Sequence, residues 1–236
     1  GAGMMDAKKA LVEAAGDIEA AIDALRAKGL ATAQKKSSRT AAEGLVGVKV
    51  DGTKGTAVEV NSQTDFVAKN EGYVDMAKKM ASIAIANFPT TKEDLLALSY
   101  EGSLTIADKL IEQTGVIGEK IEIAYYETIE GGVVAGYIHA GNKLATLAAL
   151  SAGVAETAKD VAMQAAAMNP VGLDRTSVPS DVIERELEVA RDMVRQEGKP
   201  EDMIEKIAQG KLGKFYKDNT LVEQDFIKDN KLSVAA

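Results

Sequence analysis

One short stretch, VNSQTDFVAKNEG at residues 60–72, carries the side chains best placed to do chemistry. It ends an alternating apolar segment and begins a helical pattern, with an acid and a large aromatic, Asp65 and Phe66, at the corner. Facing outward, they would offer a partner protein an acid for a polar or metal-proximal site and an aromatic wedge for a pocket. Alternatively, Asp65 complements the helix dipole and Phe66 packs in the core with Tyr73 and Met80. Spacing alone favours the core interpretation without deciding between the two.

Side chains for catalysis are scarce elsewhere in the sequence. The single histidine, His139, lies beside a predicted turn, so a two-histidine metal site is excluded and a hydrolase built on His139 lacks partner residues. No cysteine is present, and neither GxxxxGK[ST] nor a GxGxxG after a strand is available to cradle phosphates. Acidic clusters such as RELE are typical of solvated helical faces. We therefore expect a protein that is not an enzyme, with no catalytic residue, no metal site and no cofactor.

Composition indicates a folded, helix-rich chain whose partners are proteins. Of 236 residues, 46% are apolar, enough to supply a core, and 4% are aromatic. The net charge of -8 argues against direct nucleic-acid binding, because such proteins need a basic face. The sequence contains no apolar run long enough to span a membrane and no secretory signal pattern. With no cysteine either, the cytoplasm is the expected location.

The corner at residues 60–72 lies in a pattern that predicts an α+β fold. LVGVKV and TAVEV flank an Asp-Gly turn and predict a β-hairpin, followed by a helix over about residues 65–87 that ends before a proline. GGVVAGYIHA, a GNK turn, LATLAAL and another helix ending at a proline repeat this order. KIEIAYYETI at 120–129 is predicted to add a strand to this second half, and residues 91–115 are predicted to be helical.

Helical hairpins are predicted towards both ends of the chain. Residues 4–28 contain two short helices, the second capped by Asp17 and ended by Gly29, and their apolar stripe needs a further docking surface. The stripe comprises Met5, Ala10, Leu11, Ile18, Ile22 and Leu25. Later, Ser180 is predicted to cap a densely charged helix with a narrow apolar stripe, and Pro200 to occupy the first position of the next helix. This pattern predicts a projecting, antiparallel two-helix arm.

Several segments resemble a known family. VNSQTDFVAKN closely resembles the TDFVA signature of bacterial-type translation elongation factor Ts. The resemblance continues, in family order over essentially the whole chain, in GAGMMDAKKALVEAAGDIEAAI, YIHAGNKLATLAAL, VAMQAAAMNP and GKLGKFYKDNTLVEQDFI. It implies a chain trimmed at both ends, without the first helix and the final core strands. The implied parts are a partial ubiquitin-associated-like helical domain at 1–30, a linker at 31–44, a core N half at 45–115, a core C half at 116–176 with 217–236, and a coiled-coil helical hairpin at 177–216.

The resemblance also implies a function. Members of this family are guanine nucleotide exchange factors for the GTPase elongation factor Tu, and they would release GDP by disturbing its Mg²⁺ and phosphate site without making or breaking a bond. On matching positions the implied wedge consists of Thr64, Asp65, Phe66 and Val67, and the supporting residues are Ala68, Asn70, His139 and Gly141. The family pattern admits a homodimer or a heterotetramer. An alternative from another class is a helical adaptor or oligomerisation module without exchange activity.

Overall fold

Helices and strands alternate along residues 3–236, the part of the chain that the computed structural model describes. The helices are α1 Met4–Glu13, α2 Ile18–Lys36, α3 Asp65–Ala68, α4 Glu71–Asn87, α5 Lys92–Ala97, α6 Ile106–Ile117, α7 Ala155–Met168, α8 Ser180–Gln196 and α9 Glu201–Asn219, with a 3-10 turn at Arg175–Ser177. The strands are β1 Glu43–Asp51, β2 Lys54–Ser62, β3 Ser99–Glu101, β4 Leu104–Thr105, β5 Glu122–Glu130, β6 Val133–Ile138, β7 Ala145–Leu150, β8 Asp225–Phe226 and β9 Asp229–Ser233. This mixture of helix and sheet confirms the predicted α+β class.

The chain divides into two compact units between Lys159 and Asp160. A three-stranded antiparallel sheet in the order β1-β2-β5 carries the core of the first unit. The β1-β2 hairpin turns at Gly52, whose φ of +58° suits the predicted Asp-Gly turn. Placing residues 120–129 in the second half was wrong, because β5 pairs with β2. The cause is burial: Ile121 and Ile123 enter the same apolar cluster as the inward side chains of β2.

Helix α4 covers this sheet with a continuous buried face. That face consists of Tyr73, Met76, Ala77, Met80, Ala81 and Ala84, and Ile83 packs beside it partly buried. The predicted single helix over 65–87 is interrupted, because Asn70 accepts a hydrogen bond from the Tyr73 N–H at 3.3 Å and so caps a new helix. The four residues of α3 therefore form a separate turn in front of α4.

The prediction that residues 91–115 are helical throughout was wrong in part. Two capping boxes, at Thr91 with Asp94 and at Thr105 with Asp108, begin two separate helices, α5 and α6. Between them β3 and β4 form a small antiparallel hairpin that turns at Gly102, with a φ of +58°. The helical spacing of the apolar residues did not reveal this turn, whose positive φ a glycine adopts easily.

Helices α1 and α2 pack on each other through small residues. Asp17 caps α2 as predicted, since its carboxylate accepts from the Ala20 N–H at 3.1 Å. The predicted helix end at Gly29 was wrong: α2 continues to Lys36, into the predicted linker. Gly29 is buried against α6, and a Cβ on Gly115 would lie 3.2 Å from the Cα of Gly29. The glycine therefore permits two helices to approach closely and does not end a helix.

The apolar stripe predicted for α1 and α2 is largely uncovered. Met5, Leu11, Ile18 and Ile22 are exposed, Leu25 is half-buried and Ala10 is buried. A cleft of about 730 Å³ separates part of α2 from α6. The need for a further docking surface, inferred from the sequence, is therefore only partly met by α6.

The second hairpin, β6 and β7, forms its own two-stranded antiparallel sheet in the first unit. Its backbone lies close to β1, because a Cβ on Gly136 would come within 2.3 Å of Val48 Cγ1. This confirms the predicted hairpin and places its turn beside the first hairpin.

The second unit contains α8 and α9, which pack on each other through a narrow buried stripe. The stripe consists of Ala190, Val194, Ile204, Ala208 and Leu212. Pro179 and Pro200 occupy the N-cap positions, so two predictions were wrong by one residue. Ser180 is the first helical residue and not the cap, and Pro200 is the cap and not the first helical residue. Elsewhere in this unit, the buried Gln164 amide donates to Gln224 Oε1 at 3.2 Å. The coiled-coil character of α8 and α9 and the domain boundaries drawn from the sequence stay predictions.

Across residues 3–236, no helix is both long enough and apolar enough to cross a membrane.

Candidate functional site

The corner at residues 62–66 joins β2 to α3 and presents Phe66 to solvent. β2 ends at Ser62, and Thr64 has the extended backbone of an N-cap residue, with φ -125° and ψ 152°, although its side chain makes no cap hydrogen bond. Phe66 is 83% exposed. The prediction from spacing that Phe66 packs in the core was therefore wrong. Phe66 belongs to the separate short helix α3, so it does not continue the buried face of α4.

The backbone of the corner is held by Glu119, which lies between α6 and β5. Glu119 Oε2 accepts from the N–H groups of Gln63 and Thr64, each at 3.0 Å, and Oε1 accepts from the Thr64 hydroxyl at 2.7 Å. Sequence reasoning missed Glu119, because 55 residues separate it from Thr64 and no local pattern links them. Its one sequence signal is that it follows Gly118, the residue that ends α6.

Asp65 is exposed enough to meet a partner but is already paired. Lys69 Nζ lies 2.6 Å from Asp65 Oδ2, one turn along the chain. The hydrogen bond and charge of Lys69 lower the pKa of Asp65, and Lys143 adds to this more weakly. Asp65 is therefore a carboxylate whose negative charge is partly balanced by two lysines.

The other residues predicted at this corner lie beneath the exposed pair. Val67 and Ala68 are half-buried and pack against the apolar core of the first unit. Asn70 caps α4, as described above. Their side chains thus support Phe66 from below and leave it as the one large apolar group that the corner exposes.

A cavity of about 780 Å³ opens beside Phe66. Val67, Tyr73, Met76, Tyr100 and Glu119 are among the residues that line it. At one side, Lys79 Nζ and Lys109 Nζ lie 4.2 Å and 5.5 Å from the centre of the Tyr100 ring. The corner therefore combines an exposed aromatic with an adjacent, mainly apolar depression.

His139 and Gly141 lie on the exposed turn between β6 and β7. The Tyr137 hydroxyl lies 2.9 Å from His139 Nδ1, and Gly141 has a φ of +90°, which the tight turn requires. The Val46 N–H donates to the Asn142 carbonyl at 2.8 Å, which ties this turn to β1.

An ion pair brings the same turn towards the corner. Lys143 Nζ lies 2.5 Å from Glu43 Oε2, and Glu43 is opposite Ser62 in the β1-β2 ladder. The structure therefore places the turn and the corner at the same end of the first hairpin. No group of three or more acidic or histidine side chains within residues 3–236 is arranged to hold a metal ion.

Comparison with known proteins identifies the family of the chain. The model of the family described as elongation factor TS matches residues 63–236. A protein named elongation factor Ts from Flavobacterium psychrophilum is 56% identical over 240 residues, which cover 100% of this chain and 86% of the relative. Relatives of the same name from Christiangramia forsetii and Erythrobacter litoralis are 54% and 48% identical, over 100% of this chain and 86% and 80% of their own lengths. The match includes the corner and the arm helices, and this chain belongs to the elongation factor Ts family.

Proposed function

We propose that this chain is a guanine nucleotide exchange factor that binds the GTPase elongation factor Tu and promotes GDP release during translation elongation. Membership of a family of translation elongation factors supports the proposal. The observation that carries it is Phe66, an aromatic side chain 83% exposed on a corner whose backbone is fixed by hydrogen bonds. Burying the apolar surface of an exposed aromatic side chain against a partner lowers the free energy of the complex.

In the proposed mechanism, Phe66 acts sterically on the GTPase and Asp65 acts through its negative charge. A GTPase holds Mg²⁺ through few protein oxygens together with nucleotide phosphate and water, so small displacements of nearby loops loosen GDP. Phe66 inserts close to this region as a wedge, and the Asp65 carboxylate brings negative charge near the Mg²⁺ and phosphate site. Thr64 and Val67 hold the wedge in place. No covalent bond is made or broken, so the chain acts as an exchange factor and not as an enzyme.

Linkage sets the energetics of this exchange. If binding of the chain weakens GDP binding, GDP weakens binding of the chain by the same factor, with a coupling on the order of 1–3 kcal/mol. Contacts over a wider surface offset that cost. The exposed apolar residues of α1 and α2, such as Met5 and Ile18, and the turn at His139 and Gly141 supply such contacts in this proposal. Ala68 and Asn70 support the corner.

The setting follows from the same proposal. The partner is elongation factor Tu in the bacterial cytoplasm, and neither nucleic acid nor a membrane takes part directly. Assembly as a homodimer or as a heterotetramer with the GTPase is compatible with the mechanism. The helical adaptor remains the second candidate function, distinguished by binding without exchange.

The test measures release of fluorescent GDP from elongation factor Tu at saturating concentrations of the chain. Wild type accelerates release, and Phe66→Ala lowers that rate about tenfold or more, as expected for loss of a central aromatic anchor. Tyr125→Ala is the matched control, because Tyr125 is an aromatic 64% exposed on β5, and it keeps the rate within about twofold of wild type. Binding is measured separately by calorimetry. Binding without any acceleration would reject the exchange function in favour of the adaptor.

A further inference from the structure

We propose that Glu119 is a positioning residue for the exchange corner and fixes the direction in which Phe66 leaves the chain. The inference rests on the proposed function, since it assigns a role in the same exchange step. Its starting observation is that one carboxylate, from a distant part of the chain, accepts three hydrogen bonds from two consecutive corner residues.

The donors bound by Glu119 lie in the gap between two regular elements. β2 ends at Ser62 and α3 begins at Asp65, so Gln63 and Thr64 belong to neither. Backbone N–H groups in such a gap need a partner, and an ionised carboxylate is a strong one. The Ser62 hydroxyl also donates to the Thr64 carbonyl at 3.0 Å. Donor and acceptor groups of the Thr64 backbone are thus both held.

The three hydrogen bonds that Glu119 accepts from Gln63 and Thr64, here called the Glu119 clamp, are accompanied by one in the opposite direction. The segment that carries Glu119 is also fixed to the core. Gln63 Oε1 accepts from the Lys120 N–H at 2.9 Å, so each segment both donates to and accepts from the other. One residue further, the Ile121 N–H donates to the buried Thr114 hydroxyl at 3.1 Å, and Ile121 is itself buried. Glu119 therefore extends from a segment that the core of the first unit already fixes.

Phe66 depends on this clamp because its own side chain is not packed. With 83% of its surface exposed, its direction is set by the backbone that leads to it. Thr64, two residues earlier, keeps its extended conformation while Glu119 holds its N–H and hydroxyl. A wedge held in its binding direction loses less conformational freedom on insertion than a mobile one, which is the general advantage of preorganisation.

A carboxylate is the side chain that this geometry requires. Three donors converge on Glu119, and a carboxylate offers acceptor sites on both oxygens. Glutamine has the same shape but replaces one oxygen with an NH₂ group, which cannot accept from these donors. Glu119→Gln therefore removes part of the clamp with little change in volume, and Glu119→Ala removes all of it.

The decisive experiment measures GDP release at saturating concentration for Glu119→Gln and Glu119→Ala, each in the wild-type and Phe66→Ala backgrounds. In the wild-type background, we expect the rate to fall about threefold for the glutamine variant and about tenfold for the alanine variant. In the Phe66→Ala background, either change lowers the rate further by less than about twofold, because residues that act through one another are not additive. Equal effects in both backgrounds would overturn the proposal.

Amide hydrogen exchange supplies a readout that a general loss of stability does not reproduce. In Glu119→Gln the amides of Gln63 and Thr64 exchange faster, while those of α4 keep wild-type rates. Glu122→Gln is the matched control, since Glu122 is a nearby glutamate paired with Lys120 at 2.9 Å, and it leaves GDP release and both amides unchanged. Unchanged amides in Glu119→Gln would overturn the clamp itself. If wild type fails to accelerate GDP release, the proposed function is rejected. If wild type accelerates release but the effects of the Glu119 and Phe66 changes simply add, only the positioning role of Glu119 is rejected.

Discussion

The corner at residues 62–66 and the arm helices α8 and α9 are both surface features, but they are built by different forces. The corner presents one aromatic side chain on a backbone that donates hydrogen bonds to Glu119, 55 positions away from Thr64 in the sequence. The arm helices instead pack along a repeating buried stripe and carry exposed ion pairs such as Arg191 with Glu205 at 2.8 Å. A corner that holds a single side chain in one direction needs non-local polar contacts, whereas a pair of helices is held together by periodic packing alone.

The arm depends for stability on its buried stripe. Ile204→Ala removes a side chain that is buried between α8 and α9, and we expect a loss of about 2–5 kcal/mol in the stability of the second unit, from lost transfer energy and a cavity. Urea unfolding followed by helical circular dichroism measures it. Met203→Ala, at a neighbouring residue 45% exposed, changes stability by about 0.5 kcal/mol or less. If the two variants were equally stable, packing would not be what holds the arm.

The corner depends on buried polar contacts beneath it. The Tyr73 hydroxyl donates to the Val60 carbonyl at 2.6 Å, and burial raises the pKa of Tyr73. Tyr73→Phe leaves that carbonyl without this partner and lowers the stability of the first unit by about 1–2 kcal/mol. Tyr137→Phe, which removes an exposed hydroxyl near His139, is close to neutral. Thermal unfolding of both variants checks the difference, and a larger loss for Tyr137→Phe would contradict it.

The smallest effect concerns the exposed ion pairs of the arm. Hydrogen bonds from Arg191 lower the pKa of Glu205 to about 2 from its usual 4.5. Because the folded-state pKa is the lower one, any stabilisation from the pair is complete above pH 4.5 and is lost as the pH falls towards about 2. Since the pair lies at the surface, where water screens its charges, the loss is small.

The measurement for this pair is the stability difference between wild type and Glu205→Gln at pH 6 and at pH 2.5. We expect a slight advantage of wild type at the higher pH that disappears at the lower one. Glu184→Gln, on α8, serves as the control and shows no such trend. An advantage of wild type that grows on acidification would contradict the assigned direction.

Features that depend on neighbouring residues could be predicted from the sequence. The Asp-Gly turn of the first hairpin and the cap at Asp17 were correct, since each is decided within a few positions. The strand that pairs with β5 and the residue that ends α2 were predicted wrongly, because both depend on distant contacts. Ile123 is buried in the core cluster with β2, and Gly29 packs against α6.

The candidate site divides in the same way. The residues at 64–67 were predicted as a site through a family resemblance. Spacing instead placed Phe66 in the core, because a helical pattern does not show that Asn70 begins a new helix. Glu119 was not found at all, since only the tertiary fold brings it to Thr64. Whether Phe66, His139 and Gly141 contact a partner stays a prediction.

The close approach of Gly29 to Gly115 works as a fixed spacer. Where α2 crosses α6, the backbone of Gly29 faces Gly115 directly, with the Ile111 side chain beside it. Lys36, at the end of α2, donates to the carbonyl of Gly118, directly before Glu119. A partner that contacts both the N-terminal helices and Phe66 therefore binds two surfaces whose spacing depends on this glycine contact. A methyl group added at Gly115 would push the backbone of α2 away from α6.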